Sequence, residues 1–321
     1  MKRTQTGSIA LLATLLCGVI AACNRDHKRV IAVIPKGRAH LFWQSVHGGA
    51  AKAAKENGID LVWNGPATET DYTGQLQIVD AMINRHVDAI ALAPIDKKVM
   101  VSVVDRAAAQ NIPMIIFDSP VDTDKFVSQV ATDNYQAGQI AAARMGKILG
   151  GKGKVFVVAV QPGAASTEAR EKGFEDALHK DFPGITIIDK RFGMADFAQS
   201  MTVSENMLAA HPDVDGIFAS NESSAMGAAR ALRTRQGHIK LVGFDWSPTL
   251  LDDLNSGLID SLVVQNPFKM GYDSVVAAVH KLNGQPVTKI QDLAPRLIDK
   301  SNINDPGVQE QLHPDLKKYL E

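Results

Sequence analysis

The sequence predicts an α/β protein made of two similar doubly wound lobes, each a parallel sheet with helices on both faces. Three observations carry that prediction. Short β-branched runs alternate almost without interruption with helical stretches of ten or more residues. The strand candidates are apolar nearly throughout instead of alternating with polar residues, as expected of strands buried on both faces. The rhythm also restarts after about residue 131, so that one chain carries two series of the same kind.

In order, the first series reads as strand Val30–Pro35, then an Ala-rich helix Phe42–Asn57 ended by Gly58, then strand Ile59–Asn64. A helix from about Asp71 to His86 follows, with apolar positions at Leu76, Ile78, Val79 and Met82. Strand Ala89–Ala93, helix Lys98–Gln110 and strand Met114–Phe117 repeat the rhythm, and strand Phe126–Ala131 closes it. The second series has helix Asn134–Leu149 and strands at Lys154–Val160, Ile185–Phe192, Gly216–Ser220, Leu241–Phe244 and Ser261–Val264. Its other helices lie near Glu168–His179, Asp196–His211, Ser224–Arg235 and Pro267–Leu282. From Asn302 onward Pro306, Pro314 and charged residues break the pattern, which predicts a surface extension over 302–321.

The start of the chain has a different character. Lys2 and Arg3 precede an apolar run, Ile9 to Ile20, that ends in Ile20-Ala21-Ala22-Cys23. A charged start, a short apolar stretch and small residues before a cysteine fit an export signal cleaved ahead of Cys23, and the run is too short to span a bilayer. The sequence thus predicts a signal peptide over 1–22, lipidation at Cys23 and a tether over 23–29, placing the protein outside the cytoplasm, anchored to a membrane. Removing Lys2 and Arg3 from the 34 basic residues leaves 32 against 35 acidic ones, which argues against a nucleic-acid partner. With Cys17 removed and Cys23 lipidated, neither cysteine remains for a disulfide, a thiolate metal site or a nucleophile. His40 and His47 lack metal-site spacing, so no metal is expected. Gly146 to Lys152 has the outline of a phosphate-binding loop, but Gly153 stands where Ser or Thr must hold magnesium, and it reads as a helix-ending turn.

Open parallel sheets bind ligands beyond the carboxyl ends of their strands. The residues there are Lys36 to Trp43, Ala93 to Asp96, Asp118-Ser119, Gln161 to Arg170, Ser220 to Glu222, Phe244 to Trp246 and Gln265 to Pro267. They are rich in planar polar groups and aromatics and show no catalytic grouping. Several short motifs stand in order along the chain: Phe42-Trp43, Asn111-Ile112-Pro113, Thr132-Asp133-Asn134, Arg170-Glu171-Lys172-Gly173-Phe174, Ala210-His211-Pro212-Asp213, Asn221, Gly243-Phe244-Asp245 and Gln265. Over about Val30 to Leu297 the chain therefore resembles the periplasmic sugar-binding proteins of the ribose- and galactose-binding type, which have the type I periplasmic binding protein fold and serve ABC importers.

The resemblance implies that Asp118, Arg170, Asn221, Asp245 and Gln265 hydrogen-bond sugar hydroxyls while Phe42, Trp43 and Phe244 form aromatic walls. The chemistry agrees, since carboxylates, amides and guanidinium suit hydroxyls and flat rings suit the C–H face of a sugar. Lys36 and His40 replace a small hydroxyl and an asparagine of ribose binders, and Ser119 replaces an arginine. If Lys36 and His40 enter the cleft, they suggest a sugar with an anionic or modified group. Met194, Ala195 and Phe197 compete for the place of the second-half aromatic. The resemblance further implies three hinge crossings, near Ala131–Asp133, Gln265–Pro267 and Asp292–Leu297. Residues 30–131 with 267–293 would form the N-terminal lobe and 132–266 with 294–301 the C-terminal lobe. The function implied is a monomeric receptor, without cofactor or catalytic residue, that closes on a monosaccharide and delivers it to an ABC permease. A sensory receptor for a sugar-like signal is the alternative. A transcription regulator is disfavoured by the export signal, and a sugar hydrolase by the missing catalytic partners.

Overall fold

The computed structural model describes residues 28–233, 235 and 239–321. The expected signal peptide over 1–22 and the expected lipidation site Cys23 lie outside the described residues. In chain order the first half comprises β1 (Val30–Ile34), α1 (Leu41–Glu56), β2 (Asp60–Trp63), α2 (Tyr72–Asn84), β3 (Ala89–Leu92), α3 (Val101–Ala109), β4 (Met114–Phe117) and β5 (Ser128–Thr132). Then come α4 (Asn134–Ile148), β6 (Lys152–Ala159), α5 (Ala165–Asp181), β7 (Gly184–Phe192), α6 (Phe197–Ala210), β8 (Gly216–Ala219), α7 (Glu222–Leu232), β9 (Lys240–Phe244), α8 (Pro248–Ser256) and β10 (Ser261–Val264). The chain ends with α9 (Pro267–Leu282), β11 (Ile290–Leu293), β12 (Arg296–Ile298), α10 (Pro306–Leu312) and α11 (Lys317–Leu320).

These strands form two six-stranded sheets, ordered β11-β5-β4-β3-β1-β2 and β12-β10-β9-β8-β6-β7. The first is wholly parallel, and in the second only β12 runs antiparallel, against β10. The chain changes sheets after β5, after β10 and between β11 and β12. The continuous apolar runs have a simple cause. In β1, Ile31 and Val33 face the core under α1 and α9 while Ala32 and Ile34 face the opposite core under α2 and α3, so no position can be polar.

Helix pairs fix the geometry further. A Cβ on Gly138 of α4 would sit 1.9 Å from the carbonyl oxygen of Arg170 on α5, so the two backbones touch there. Any side chain at Gly138 would push Arg170 away.

Several elements depart from the sequence reading, among them strands β11 and β12 where only a hinge crossing was expected. Helix α8 was not expected, although its signals were present: Ser247 accepts from the Leu250 N–H, Pro248 opens the helix, and Gly257 ends it in the left-handed region at φ 89°. The tail is not a loose extension. Ile303, Val308 and Leu312 are buried in the core of the second lobe. Beyond them the Tyr319 ring lies 5.9 Å from that of Phe268 on α9, in the first lobe. Gln311 Nε2 also donates to the Gln265 carbonyl at 2.7 Å. The prolines that hid the tail helices open and bracket them instead of preventing them. Truncating the fully buried Leu312 to Ala should cost about 2–5 kcal/mol. Urea denaturation measures this, and a loss below about 1 kcal/mol would mean that the tail is not seated in the core.

Candidate functional site

The two sheets present their carboxyl ends to each other, and equivalent residues leave each in the same strained conformation. Asp118 follows β4 with φ 62° and Asp245 follows β9 with φ 63°, both left-handed. Each backbone N–H donates to the neighbouring strand, Asp118 to Val130 O and Asp245 to Val263 O. The sharp turn aims each carboxylate out of its sheet into the space between the lobes; short polar residues tolerate this backbone better than most. Gln75 of α2 steadies the neighbouring strand ends, its amide joining Pro35 O, Ala93 O and Ile95 N–H while fully buried.

The Arg170 to Phe174 motif is a positioning device. Gly173 lets α5 approach Tyr135, where a Cβ would lie 2.1 Å from the carbonyl oxygen, and the Phe174 ring stacks on Phe218 at 4.2 Å. Glu171 accepts from the Val160 N–H and the Ser220 hydroxyl, tying two strand-end loops to α5. Arg170 is thereby delivered into the cleft, 2% exposed, its guanidinium 3.4 Å above the Phe244 ring. It donates to Ser220 O and, at 2.8 Å, to Asn134 Oδ1. Its Nε has no hydrogen-bond partner among the described residues. Burial pulls the guanidinium below its ordinary value, opposed by the charges of Asp245 and Asp118.

The lobes are closed on this site. Lys36 Nζ, on the first lobe, lies 2.6 Å from Asp118 Oδ2 and donates to Ser119 Oγ at 2.7 Å and across the cleft to Ser166 Oγ at 3.0 Å. The Asp118 contact is a short ion pair, and Oδ2 accepts no further hydrogen bond among the described residues. Lys97 pairs with Glu168 at 2.6 Å, and the Lys97 N–H donates to Gly163 O, both across the lobes. Gln161 Nε2 reaches Glu69 O at 2.8 Å. At the hinge side Thr132 Oγ1 donates to Gln265 Oε1, whose Nε2 donates to Asp245 Oδ1 at 2.8 Å.

A charge relay forms the cleft wall near α1. Glu69 Oε1 accepts from His40 Nδ1 and from Trp43 Nε1, each at 2.7 Å. Burial opposes charge on both partners, yet their mutual contact outweighs it: Glu69 is held below its ordinary value and His40 is raised to about 9. Glu222 is pushed up to about 7 by burial, and burial likewise raises Asp245.

The cavity between the lobes, about 30 Å³ in this closed state, is lined by Lys36, His40, Phe42, Trp43, Asp118, Arg170, Asn221, Asp245 and Gln265 from the expected set. Phe244 and Ser119 are not on its wall. Phe244 is fully buried beneath Arg170, because β9 alternates sides and turns its ring under the guanidinium; it is a floor for the arginine, not a wall for a ligand. Ser119 is also fully buried and instead holds Lys36 and Ser166. Glu69, Ser166, Thr167 and Glu222 complete the lining; the last three stand in the expected strand-end stretches without having been singled out as ligand contacts, and Glu69 was not expected at all. Glu69 sits in a loop after β2 that carries no helix or strand signal, whereas Glu222 directly follows Asn221 at a strand end and was legible. Met194, Ala195 and Phe197 line an adjoining cavity of about 310 Å³, bordered by the same His40–Glu69 pair. Lys36 and His40 do enter the cleft, but Asp118 and Glu69 already neutralise them, which removes the case for an anionic ligand.

Two doubly wound lobes closed on a buried set of carboxylates, amides and one arginine define a ligand-binding protein that engulfs a small polar molecule. The periplasmic binding protein domain matches residues 31–286, and this chain belongs to that family. It is 30% identical to the ribose import binding protein RbsB of Escherichia coli over 296 residues, which cover 89% of this chain and 95% of that protein. It is 29% identical to the D-apiose import binding protein of Paraburkholderia graminis, across 80% and 82% of the two chains. Among solved structures, a carbohydrate transporter solute-binding protein from Agrobacterium radiobacter in complex with D-arabinose superposes with a TM-score of 0.86 at 32% identity, covering 89% and 99% of the chains. An ABC transporter solute-binding protein from Agrobacterium vitis bound to α-D-tagatopyranose gives 0.86 at 33% identity, covering 90% and 100%.

Proposed function

We propose that this protein is an extracytoplasmic receptor that closes its two lobes on a neutral monosaccharide and delivers it to an ABC importer, anchored through a lipid on Cys23. The observation that carries the reading is a buried donor and a buried acceptor in the cleft that keep hydrogen-bonding capacity. Arg170 Nε has no hydrogen-bond partner among the described residues, and Asp118 Oδ2 is held only by its ion pair with Lys36, so a ligand that supplies both an acceptor and a donor relieves a costly burial. Sugar hydroxyls both donate and accept, and can satisfy the two at once. The relatives named for ribose and apiose, and the similar structures bound to D-arabinose and α-D-tagatopyranose, support the same ligand class. Binding would use contacts available only when the lobes are shut, so occupancy would favour the closed form.

A thermal-shift screen of the purified protein with D-ribose, D-arabinose, D-tagatose, D-fucose and D-allose tests this. A sugar at 100 times its Kd adds about 2.7 kcal/mol to stability and raises Tm by several degrees. Asp245→Ala should abolish the shift. Shifts confined to sugar acids or phosphates, or none with any sugar, would sink the reading. Acyl groups present on the membrane-extracted protein and absent after Cys23→Ser test the anchor; an unacylated wild type rejects it.

A further inference from the structure

Helix α1 begins without a cap of its own. His40 occupies the N-cap position, but its ring is turned to Glu69 and makes no capping hydrogen bond, and the first turn contains no acidic residue. The N-terminal amides of a helix need acceptors. Here the acceptor comes from the opposite lobe. The Phe42 N–H donates to Glu222 Oε2 at 3.4 Å. Two neighbours hold Glu222 in place for this contact. Its own N–H donates to Asp245 Oδ2 at 3.1 Å, and Asn221 before it caps α7.

We infer that Glu222 is a positioning residue that caps α1 from the other lobe only when the cleft is shut, latching the closed form and linking closure to the uptake of a proton. The inference rests on the proposed function, in that closure is the binding step, and adds to it how closure is held and tuned. Opening the cleft would leave the α1 amides and the Glu222 carboxyl to water. Closing it buries that carboxyl, 6% exposed, beside a second carboxylate.

The groups facing Glu222 are His40 at the α1 N-terminus and Asp245 at the end of β9, with Lys36, Glu69, Asp118 and Arg170 around the same cleft. Since Asp118 holds Lys36 and Glu69 holds His40, Arg170 is left to balance both Asp245 and Glu222. One carboxyl is in surplus, and a proton supplies the balance. Burial raises Glu222 from 4.5 to about 7, with Asp245 adding to the rise and His40 opposing it. An acid whose value rises on closure favours the closed form most at low pH. The advantage is lost as pH climbs from the open value towards 7 and is gone above it.

Titration calorimetry at pH 5.5 and 8.5 with D-ribose, D-arabinose, D-tagatose, D-fucose and D-allose, on wild type, Glu222→Gln and Glu222→Ala, tests the latch. Wild-type affinity should fall at least about tenfold between the two pH values. Glu222→Gln keeps an amide oxygen for the Phe42 N–H and cannot titrate, so its affinity should change less than about threefold and should exceed that of Glu222→Ala at both pH values. A Gln variant that keeps the wild-type pH dependence, or that binds no better than the Ala variant, overturns the inference. If no sugar binds any of the three proteins, the sugar reading has failed, and small-angle scattering then judges the latch. Wild type should expand between pH 5.5 and 8.5 while Glu222→Gln does not; identical wild-type profiles at both pH values overturn it.

Discussion

Replacing Arg170 by Met weakens sugar binding by at least about a hundredfold, equivalent to roughly 2.7 kcal/mol. The side chain has four roles that Met cannot fill. Its charge opposes the burial of Asp245, it donates to Ser220 O and Asn134 Oδ1, it stacks on Phe244, and it keeps Nε free of any hydrogen-bond partner among the described residues. Without it the Asp245 carboxyl loses the charge that opposes its burial, rises further and becomes a poorer acceptor for a hydroxyl. Arg170→Lys restores little, because an ammonium cannot stack flat on the ring while donating in two fixed directions. Calorimetric titration of both variants, with circular dichroism to confirm folding, decides the matter. Binding within tenfold of wild type in Arg170→Met would show that the arginine only braces Ser220 and Asn134.

Breaking the Lys36–Asp118 pair has the largest expected effect on stability. Asp118→Ala leaves the Lys36 ammonium 3% exposed with two serine hydroxyls and no counter-charge, at a cost of about 3–5 kcal/mol. Lys36→Met strands the Asp118 carboxylate in the same way. The double variant Lys36→Met with Asp118→Leu should recover most of the loss, since replacing both members of a buried pair by apolar residues is often neutral or better. Urea denaturation of the single and double variants gives the coupling. Additive losses in the double variant would mean that the two side chains do not interact, contrary to their 2.6 Å approach.

This pair also shows where sequence reasoning stopped. Asp118 was legible because it directly follows a buried strand, the place where an open parallel sheet puts its ligand groups. Lys36 was legible only as a residue near that place, since a loop lysine carries no sign of what it meets 82 residues further along the chain. Its partners Asp118 and Ser119 follow β4, which is separated from β1 by β3 in the sheet, and Ser166 stands on the other lobe. The cation beside Asp118 comes from the first loop. Phe244 failed in the opposite direction. Its position beside Asp245 suggested a wall of the cleft, but neighbouring residues of a strand point to opposite faces, and the ring lies under Arg170.

The sequence by itself determined the architecture. Continuous apolar strands separated by helices have few ways to bury both faces of a sheet, and the restart of the rhythm made two sheets. It also determined which strand ends carry carboxylates, amides and the arginine, because those positions are set by local order along the chain. Only the tertiary structure decided which charges meet. Glu69 reaches His40 and Trp43, Glu222 reaches the start of α1, and the tail bridges both lobes through contacts between residues far apart in the chain. Secondary structure follows from short-range periodicity, whereas a buried ion pair exists only once two distant segments have excluded water from the space between them.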